Sequence, residues 1–538
     1  MQIGLGRWGC RALLLGGAIL LLGNAAADSP PSTVVTQRAA AQCVAMANAA
    51  FGKDVAITSA THLGASAAGA APGPGDFGPS PALPAYCKVE GIINQRIGAE
   101  GKEYGIRFAI ALPDDWNGRF LLQGGGGLNG FVIPPTGPVA SDGRPALARG
   151  FAVISSDSGH QGAVFDASFM ADQRAALDFA ESSVRTVALM GKRITAEYYG
   201  TEIGHSYMTG CSTGGREGML ALQRYPELFD GIIIGAPAMR AGDSNLAIEN
   251  TQVLLNQVAP KDAQGKPDIG ALLTPAVRDT ILEGLLAQCD GLDGLKDGMI
   301  ENVAQCRFDP KTLVCKPGQS KSCIGAPLAA ALEKAFAGPF DKAGYPIYAP
   351  NPFDTGIVDM RSGYLPTGAP GPLGPASVAT SIDLDARIHQ IRNDAVGRLT
   401  DTNYWTNLNT YLDRGGKVLF FHGVSDFWFS PLATWDWYER AAATNGTAFT
   451  DASRFYMVPG MFHCQGGNAF DQFDMLSSLV DWVERDKAPQ AVIAHRSAPS
   501  AEKSRPLCPY PSYAAYEGGD RDKASSFSCR KPSAAVGG

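Results

Sequence analysis

Apolar and polar positions change their period several times along this chain. Ile106, Phe108 and Ile110 stand at every second position, the spacing of a half-buried strand. Residues 119–123 and 151–155 are more continuously apolar, as central strands covered on both faces are. A helical pattern over about 169–199 follows, then a strand at 205–209, a helix at 214–225 and a strand at 231–234. Near the end, 417–421 and 455–458 read as strands, with helical patterns after them at 431–445 and 470–485. Strands alternating with helices predict an α/β fold built on a mostly parallel sheet.

Between about Arg240 and Asn403 the alternation stops. Gly, Pro, Cys and Asp punctuate this segment, which contains NPFDTG and SGYLPTGAPGPLGPAS. It reads as an insertion over the sheet, a lid domain at 240–403, which splits the core into 28–239 and 404–538. No repeat is visible, and an Ala/Gly/Pro-rich stretch at 65–84 reads as a surface loop.

Composition narrows the class. Apolar residues make up 45% of the 538 positions, so a large core can be buried. The formal charge is −7 and the basic residues form no run, which argues against a nucleic-acid partner. Residues 1–27 have the order of a secretory signal: Arg7 and Arg11, an apolar stretch at 12–22, then Ala25-Ala26-Ala27 before Asp28. That apolar stretch is shorter than the ~20 residues of a spanning helix, and no later one is longer, so no membrane association is expected once the signal is removed. A secreted or periplasmic location is expected. Cys10 leaves with the signal and ten cysteines remain, an even number that points to disulfides in an oxidising compartment. No CxxC pair supports thiolate zinc.

The chemistry is concentrated in three places. Gly210-Cys211-Ser212-Thr213-Gly214 fits G-x-S-x-G between a strand and a helix, the setting of a nucleophile elbow with an exposed serine oxygen. Asp426 and His463 each follow a predicted strand, and Ser, acid, His is the chain order of α/β-hydrolases. His463 is then the base for Ser212, with Asp426 fixing its tautomer. Gln123-Gly124-Gly125-Gly126-Gly127 follows an early strand, where backbone N–H groups can meet an oxyanion unobstructed. Gly125 and Thr213 are the expected donors. If Ser212 and His463 touch, Cys211 and Cys464 must be neighbours, so a disulfide between them is expected. A further segment, Cys289 to Met299, spaces Asp290, Asp293 and Asp297 with glycines. It reads either as a hard-cation loop or as a solvated acidic turn.

At GCSTGGREG, QGGGG, GVSDFWFSP, GMFHCQGG and the C-terminal RPLCPYP…SFSC, the chain resembles the tannase/feruloyl esterase family, over about Cys43 to Cys529. The resemblance implies an α/β-hydrolase core with a large lid. It also implies hydrolysis of aromatic-acid esters, feruloyl or cinnamoyl first, galloyl or a terephthalate monoester as alternatives. It implies a structural Ca²⁺ held by the side chains of Asp290, Asp293 and Asp297 and the carbonyls of Leu295 and Met299. It further implies the pairs Cys43–Cys87, Cys211–Cys464, Cys289–Cys306, Cys315–Cys323 and Cys508–Cys529. The expected partner is a small aromatic ester; the sequence sets no oligomeric state. A binding protein on an inactivated hydrolase scaffold, or a serine peptidase, are the rival readings. The intact Ser, Asp and His speak against the first, and the resemblance to esterases against the second.

Overall fold

The computed structural model describes residues 32–69, 81–358, 365, 377–497 and 499–533. The expected signal segment, 1–27, lies outside them, as do much of the loop expected at 65–84 and most of SGYLPTGAPGPLGPAS.

Nine strands form one sheet: β1 (Val55–Leu63), β2 (Tyr86–Ile97), β3 (Glu103–Pro113), β4 (Arg119–Gln123), β5 (Ala152–Ser156), β6 (His205–Cys211), β7 (Gly231–Gly235), β8 (Lys417–Gly423) and β9 (Ser453–Val458). Their order is β1-β2-β3-β5-β4-β6-β7-β8-β9. From β5 to β9 every pairing is parallel; β1, β2 and β3 add an antiparallel flank. All five residues of β7, Gly-Ile-Ile-Ile-Gly, are buried, the signature of a strand covered on both faces. Strand β3 is also buried along nearly its whole length, whereas its alternation at Ile106, Phe108 and Ile110 predicted half-burial. Ala109, between Phe108 and Ile110, and Ala111, just after it, are small, apolar and buried, and only Arg107 stays half-buried.

The longer helices are α1 (Ser32–Ala45), α2 (Ser183–Tyr199), α3 (Thr213–Arg224), α4 (Ala241–Val258), α5 (Pro275–Cys289), α6 (Ala326–Ala337), α7 (Pro431–Asn445) and α8 (Met475–Arg485). The single helix expected over 169–199 is broken. A short helix, Gln173–Leu177, is capped by the Asp172 carboxylate on the Ala175 N–H, and a wide turn at Asp178–Ser182 precedes α2. The pattern at 470–485 likewise divides into a two-residue strand, β10 (Gln472–Phe473), and α8. The remaining strands, β11 (Val492–His495), β12 (Ser504–Leu507), β13 (Tyr513–Tyr516) and β14 (Phe527–Arg530), form two small sheets near the C-terminus.

Two apolar clusters lie on the faces of the large sheet. One gathers Phe108, Phe120, Ile154, Met208, Ile232 and Phe420; the other gathers Leu121, Val153, Tyr207, Ile233, Leu419 and Tyr456. Neighbouring residues of one strand thus serve opposite clusters, as the two-residue period of a strand requires. The chain between β7 and β8 is helical and has its own core, with Leu255, Ile281, Leu285, Leu332 and Phe336 among its members. The structure pairs Cys289 with Cys306 and Cys315 with Cys323 inside this excursion. It pairs Cys43 with Cys87 and Cys508 with Cys529 outside it.

Phe420 is fully buried in the centre of β8, against Trp437, Tyr438 and Phe455. Phe420→Ala is expected to lower unfolding stability by about 3–5 kcal/mol, read as a drop in the denaturant midpoint.

Candidate active site

The site forms at the carboxyl ends of β4, β6, β8 and β9. Ser212 follows β6 directly and adopts φ 63°, ψ −123°, a backbone state few non-glycine residues enter. Its N–H donates to the Gly235 carbonyl (3.1 Å), and its carbonyl accepts from Arg216 N–H (2.9 Å) and Ala238 N–H (3.1 Å). The turn therefore has fixed backbone partners on both sides. Glycine is needed at specific points around it. A Cβ on Gly214 would lie 2.7 Å from the Gly125 carbonyl oxygen, and one on Gly124 would lie 2.6 Å from Gly214 Cα. The QGGGG turn and the elbow touch backbone to backbone, joined by Gly214 N–H to the Gly125 carbonyl at 3.0 Å. Thr213 adds a hydroxyl bond to the Gly127 carbonyl.

Asp426 and His463 come together as the chain order predicted. His463 Nδ1 lies 2.7 Å from Asp426 Oδ2, and the Asp426 side chain has no exposed surface. Asp426 Oδ1 accepts from Trp428 N–H (2.8 Å) and Phe429 N–H (3.1 Å). Burial would raise the Asp426 pKa. The nearby His463 charge and the hydrogen bonds from His422 and His463 outweigh it and hold the carboxyl well below its usual range. His463 Nε2 is buried without a hydrogen-bond partner, which leaves it available to a hydroxyl proton. Trp428 and Phe429 pack on the imidazole, with ring centroids 4.9 and 5.4 Å away. Cys211 and Cys464 are bonded, with their Cα atoms 6.0 Å apart, so the residues before Ser212 and after His463 are held side by side.

One expected donor is engaged elsewhere. Gly125 N–H donates to Glu217 Oε2 (2.9 Å). The next residue, Gly126, borders open space. Four consecutive glycines offer several N–H groups, and the packing beneath the turn decides which one Glu217 takes.

Three further groups escaped the sequence reading. His422, in the same HGVSD segment as Asp426, is fully buried; its Nε2 lies 3.1 Å from Asp426 Oδ2 and 3.0 Å from the Phe429 carbonyl, and its Nδ1 lies 3.0 Å from Thr434 Oγ1. With two acceptors facing Nε2, that nitrogen carries the proton and Nδ1 accepts from Thr434. Asp354, in NPFDTG, accepts from Ser425 Oγ (2.6 Å) and Gly460 N–H (2.7 Å), tying the excursion between β7 and β8 to both the acid and the base loops. Glu217 lies under the glycine turn. The HGVSD spacing alone could have suggested His422; nothing local marks the other two.

The acidic segment forms a compact loop after α5. Asp290 Oδ1 accepts from Asp297 and Gly298 N–H (3.1 Å each), and Asp293 Oδ1 from Leu295 N–H (2.9 Å). Burial first, then the charges of Asp297 and Asp290, push the Asp293 pKa up to about 7 despite the Leu295 bond. Asp293 Oδ2 is buried with no partner, as an oxygen awaiting a cation would be. Asp297 Oδ2, however, faces Arg505 at 2.8 Å. Among the described residues no three His, Cys, Asp or Glu side chains converge as ready metal ligands. Asp297 is thus shared between this loop and a buried arginine.

A serine on a strand–turn–helix elbow, with acid and base on the loops after β8 and β9, defines an α/β-hydrolase. The family model described as tannase and feruloyl esterase matches residues 87–394 and 378–530. The mono(2-hydroxyethyl) terephthalate hydrolase of Piscinibacter sakaiensis is 36% identical over 518 residues, covering 84% of this chain and 86% of that protein. A probable feruloyl esterase of Arthroderma benhamiae is 28% identical over 494 residues, 85% and 88% of the two chains. The crystal structure of feruloyl esterase B from Aspergillus oryzae superposes with a TM-score of 0.74 at 24% identity, covering 91% of this chain and all of that one. The chain belongs to the tannase and feruloyl esterase family and is a carboxylic ester hydrolase.

Replacing Cys211 and Cys464 together by Ala is expected to lower kcat strongly in protein that stays folded. The bridge closes a loop of 253 residues, and its loss costs roughly 5 kcal/mol at most in the chain-entropy model. A shift of ~1 Å between Ser212 and His463 would cost ~100-fold in rate. Unreduced peptide mapping that found either thiol free would refute the bridge, and a folded double variant with unchanged kcat would remove its catalytic role.

Proposed function

We propose that this protein is a secreted or periplasmic serine esterase that cleaves esters of aromatic acids through an acyl-enzyme on Ser212. The observation that carries the reading is the His463–Asp426 pair, with Nε2 unpartnered and the base loop bonded to the nucleophile elbow. Ser212 Oγ attacks the ester carbonyl carbon while His463 Nε2 takes its proton. The imidazolium is stabilised by Asp426, whose own position is set by His422 and two backbone N–H groups. The negative charge on the carbonyl oxygen is met by Thr213 N–H and a second N–H of the glycine turn, Gly126 in place of Gly125. His463 then gives its proton to the leaving alcohol, and water, activated by the same nitrogen, releases the acid.

Aromatic side chains near the base favour a flat acyl group. Phe165, Phe427 and Trp428 form a chain of ring contacts that reaches His463. A feruloyl-type acid is the first candidate. A terephthalate monoester is the second, favoured by the 36% identity to a hydrolase of such an ester. The segment at 240–403 is proposed as the lid domain over the site, because Asp354 ties it to the loops that carry Asp426 and His463. The leader at 1–27 and the five disulfides support an oxidising compartment.

Ser212→Ala is expected to reduce hydrolysis by several orders of magnitude and to abolish labelling by a fluorophosphonate probe, with product binding retained. Near-wild-type turnover in that variant would reject the mechanism. Rates on methyl ferulate, methyl gallate and a terephthalate monoester, compared as kcat/KM, decide the acyl group.

Ca²⁺ is proposed as a structural ion held by Asp290, Asp293 and Asp297 with the Leu295 and Met299 carbonyls; it would neutralise the crowded acids and brace the excursion. Because a ligand bound only by the folded state stabilises it, EDTA is expected to lower Tm and added Ca²⁺ to restore it. An unchanged Tm, with no calcium by elemental analysis, would remove the site.

A further inference from the structure

Glu217 lies five residues after Ser212 on α3, about one and a half turns along. It is only 4% exposed, and an unpaired carboxylate in that position would be costly. Both oxygens are satisfied from one direction. Oε2 accepts the Gly125 N–H (2.9 Å), and Oε1 accepts the Asn129 side-chain amide (2.8 Å) and lies 3.4 Å from Ser158 Oγ. Gly125 and Asn129 bracket the turn that faces Ser212. Asn129 is itself left-handed at φ 55°, and its N–H closes on the Gly126 carbonyl at 2.9 Å. The carboxylate therefore clamps the turn at both ends, while Gly214 N–H and the Thr213 hydroxyl hold it at Gly125 and Gly127.

A negative charge behind an oxyanion hole would oppose the charge that develops there. Arg216, the preceding residue, offsets it. Its guanidinium is buried, donates to the Phe179 and Ala180 carbonyls at 2.9 and 2.8 Å, and interacts electrostatically with Glu217.

We propose that Glu217 is a positioning residue for the oxyanion hole: it sets the peptide planes of the Gly124–Asn129 turn so that a turn N–H converges with Thr213 N–H on the tetrahedral oxygen. This rests on the acyl-enzyme reading of Ser212. The side chain touches no substrate, so its removal should weaken only the tetrahedral state. Glu217→Gln keeps the size but cannot accept at both ends: its NH₂ group faces either Gly125 N–H, a donor, or the Asn129 amide, which must rotate to present Oδ1, so the charged two-ended clamp is lost.

The test measures kcat and KM on an aryl ester, together with inhibition by benzeneboronic acid, which forms a tetrahedral adduct on the serine, and by the free aromatic acid. In Glu217→Gln, kcat and boronate affinity are expected to fall together by ~100-fold, the scale of losing one oxyanion donor. KM and product-acid affinity should change less than ~3-fold, since ground-state binding is untouched. Asn129→Ala breaks the clamp from the turn side and should show the same selective loss if Glu217→Gln does not fold. Wild-type kcat and boronate affinity in a folded variant would overturn the proposal, as would an equal loss of boronate and product acid. Fluorophosphonate labelling of Ser212 in the wild type separates the two readings. Its absence removes the acyl-enzyme, while labelling with an indifferent Glu217→Gln removes only the clamp.

Discussion

Ser212 holds a left-handed backbone conformation because the chain on either side of it has no room to relax. Its N–H and C=O are bonded to neighbouring backbone, and the glycines at 124 and 214 let the QGGGG turn come within contact of the elbow, where a single Cβ would collide. That backbone contact sets the distance between Ser212 and the glycine turn. It also fixes where α3 begins and hence where Thr213 N–H points. The parallel strands beneath supply the rigidity: β6 is paired on both sides, and β7 is buried throughout.

Around this contact the protein places three buried carboxylates, each with its own donors. Asp426 faces two histidines and two backbone N–H groups; Asp354 faces a serine hydroxyl and a glycine N–H; Glu217 faces a glycine N–H and an asparagine amide. A buried acceptor that loses a partner costs far more than the net gain of the bond it made. These residues therefore resist loop movement in proportion to how dry they are. They link the elbow, the acid loop, the base loop and the excursion between β7 and β8 into one frame, to which the Cys211–Cys464 bridge adds a covalent tie. The acidic loop near Arg505 is a separate problem in charge balance, with Asp297 shared between its neighbours and a buried arginine.

Much of this was legible in the sequence, for local reasons. Apolar runs marked β4, β6 and β8 to within a residue or two, because strands buried on both faces leave them nearly continuous. The G-x-S-x-G spacing between a strand and a helix located the elbow at Ser212, since that order of elements builds the turn. Chain order picked out Asp426 and His463, and the cysteines flanking Ser212 and His463 announced their own proximity. The excursion was legible only as a break in pattern: α4, α5 and α6 are separated by long non-helical stretches, and its core forms by packing among them.

What sequence could not settle depends on contacts between residues far apart in the chain. Four glycines in a row are equivalent until Glu217, 92 positions after Gly125, takes the N–H of one of them. His422 acquires its part only when the turn after β8 folds Asp426 back over it. Asp354 reaches Ser425 and Gly460 across 71 and 106 positions, separations no periodicity can encode. Local pattern determined many of the elements and marked the candidate residues Ser212, Asp426 and His463, because propensity and spacing are properties of neighbours. The tertiary structure alone decided which buried donor meets which acceptor, because that pairing is set by the packing that excludes water.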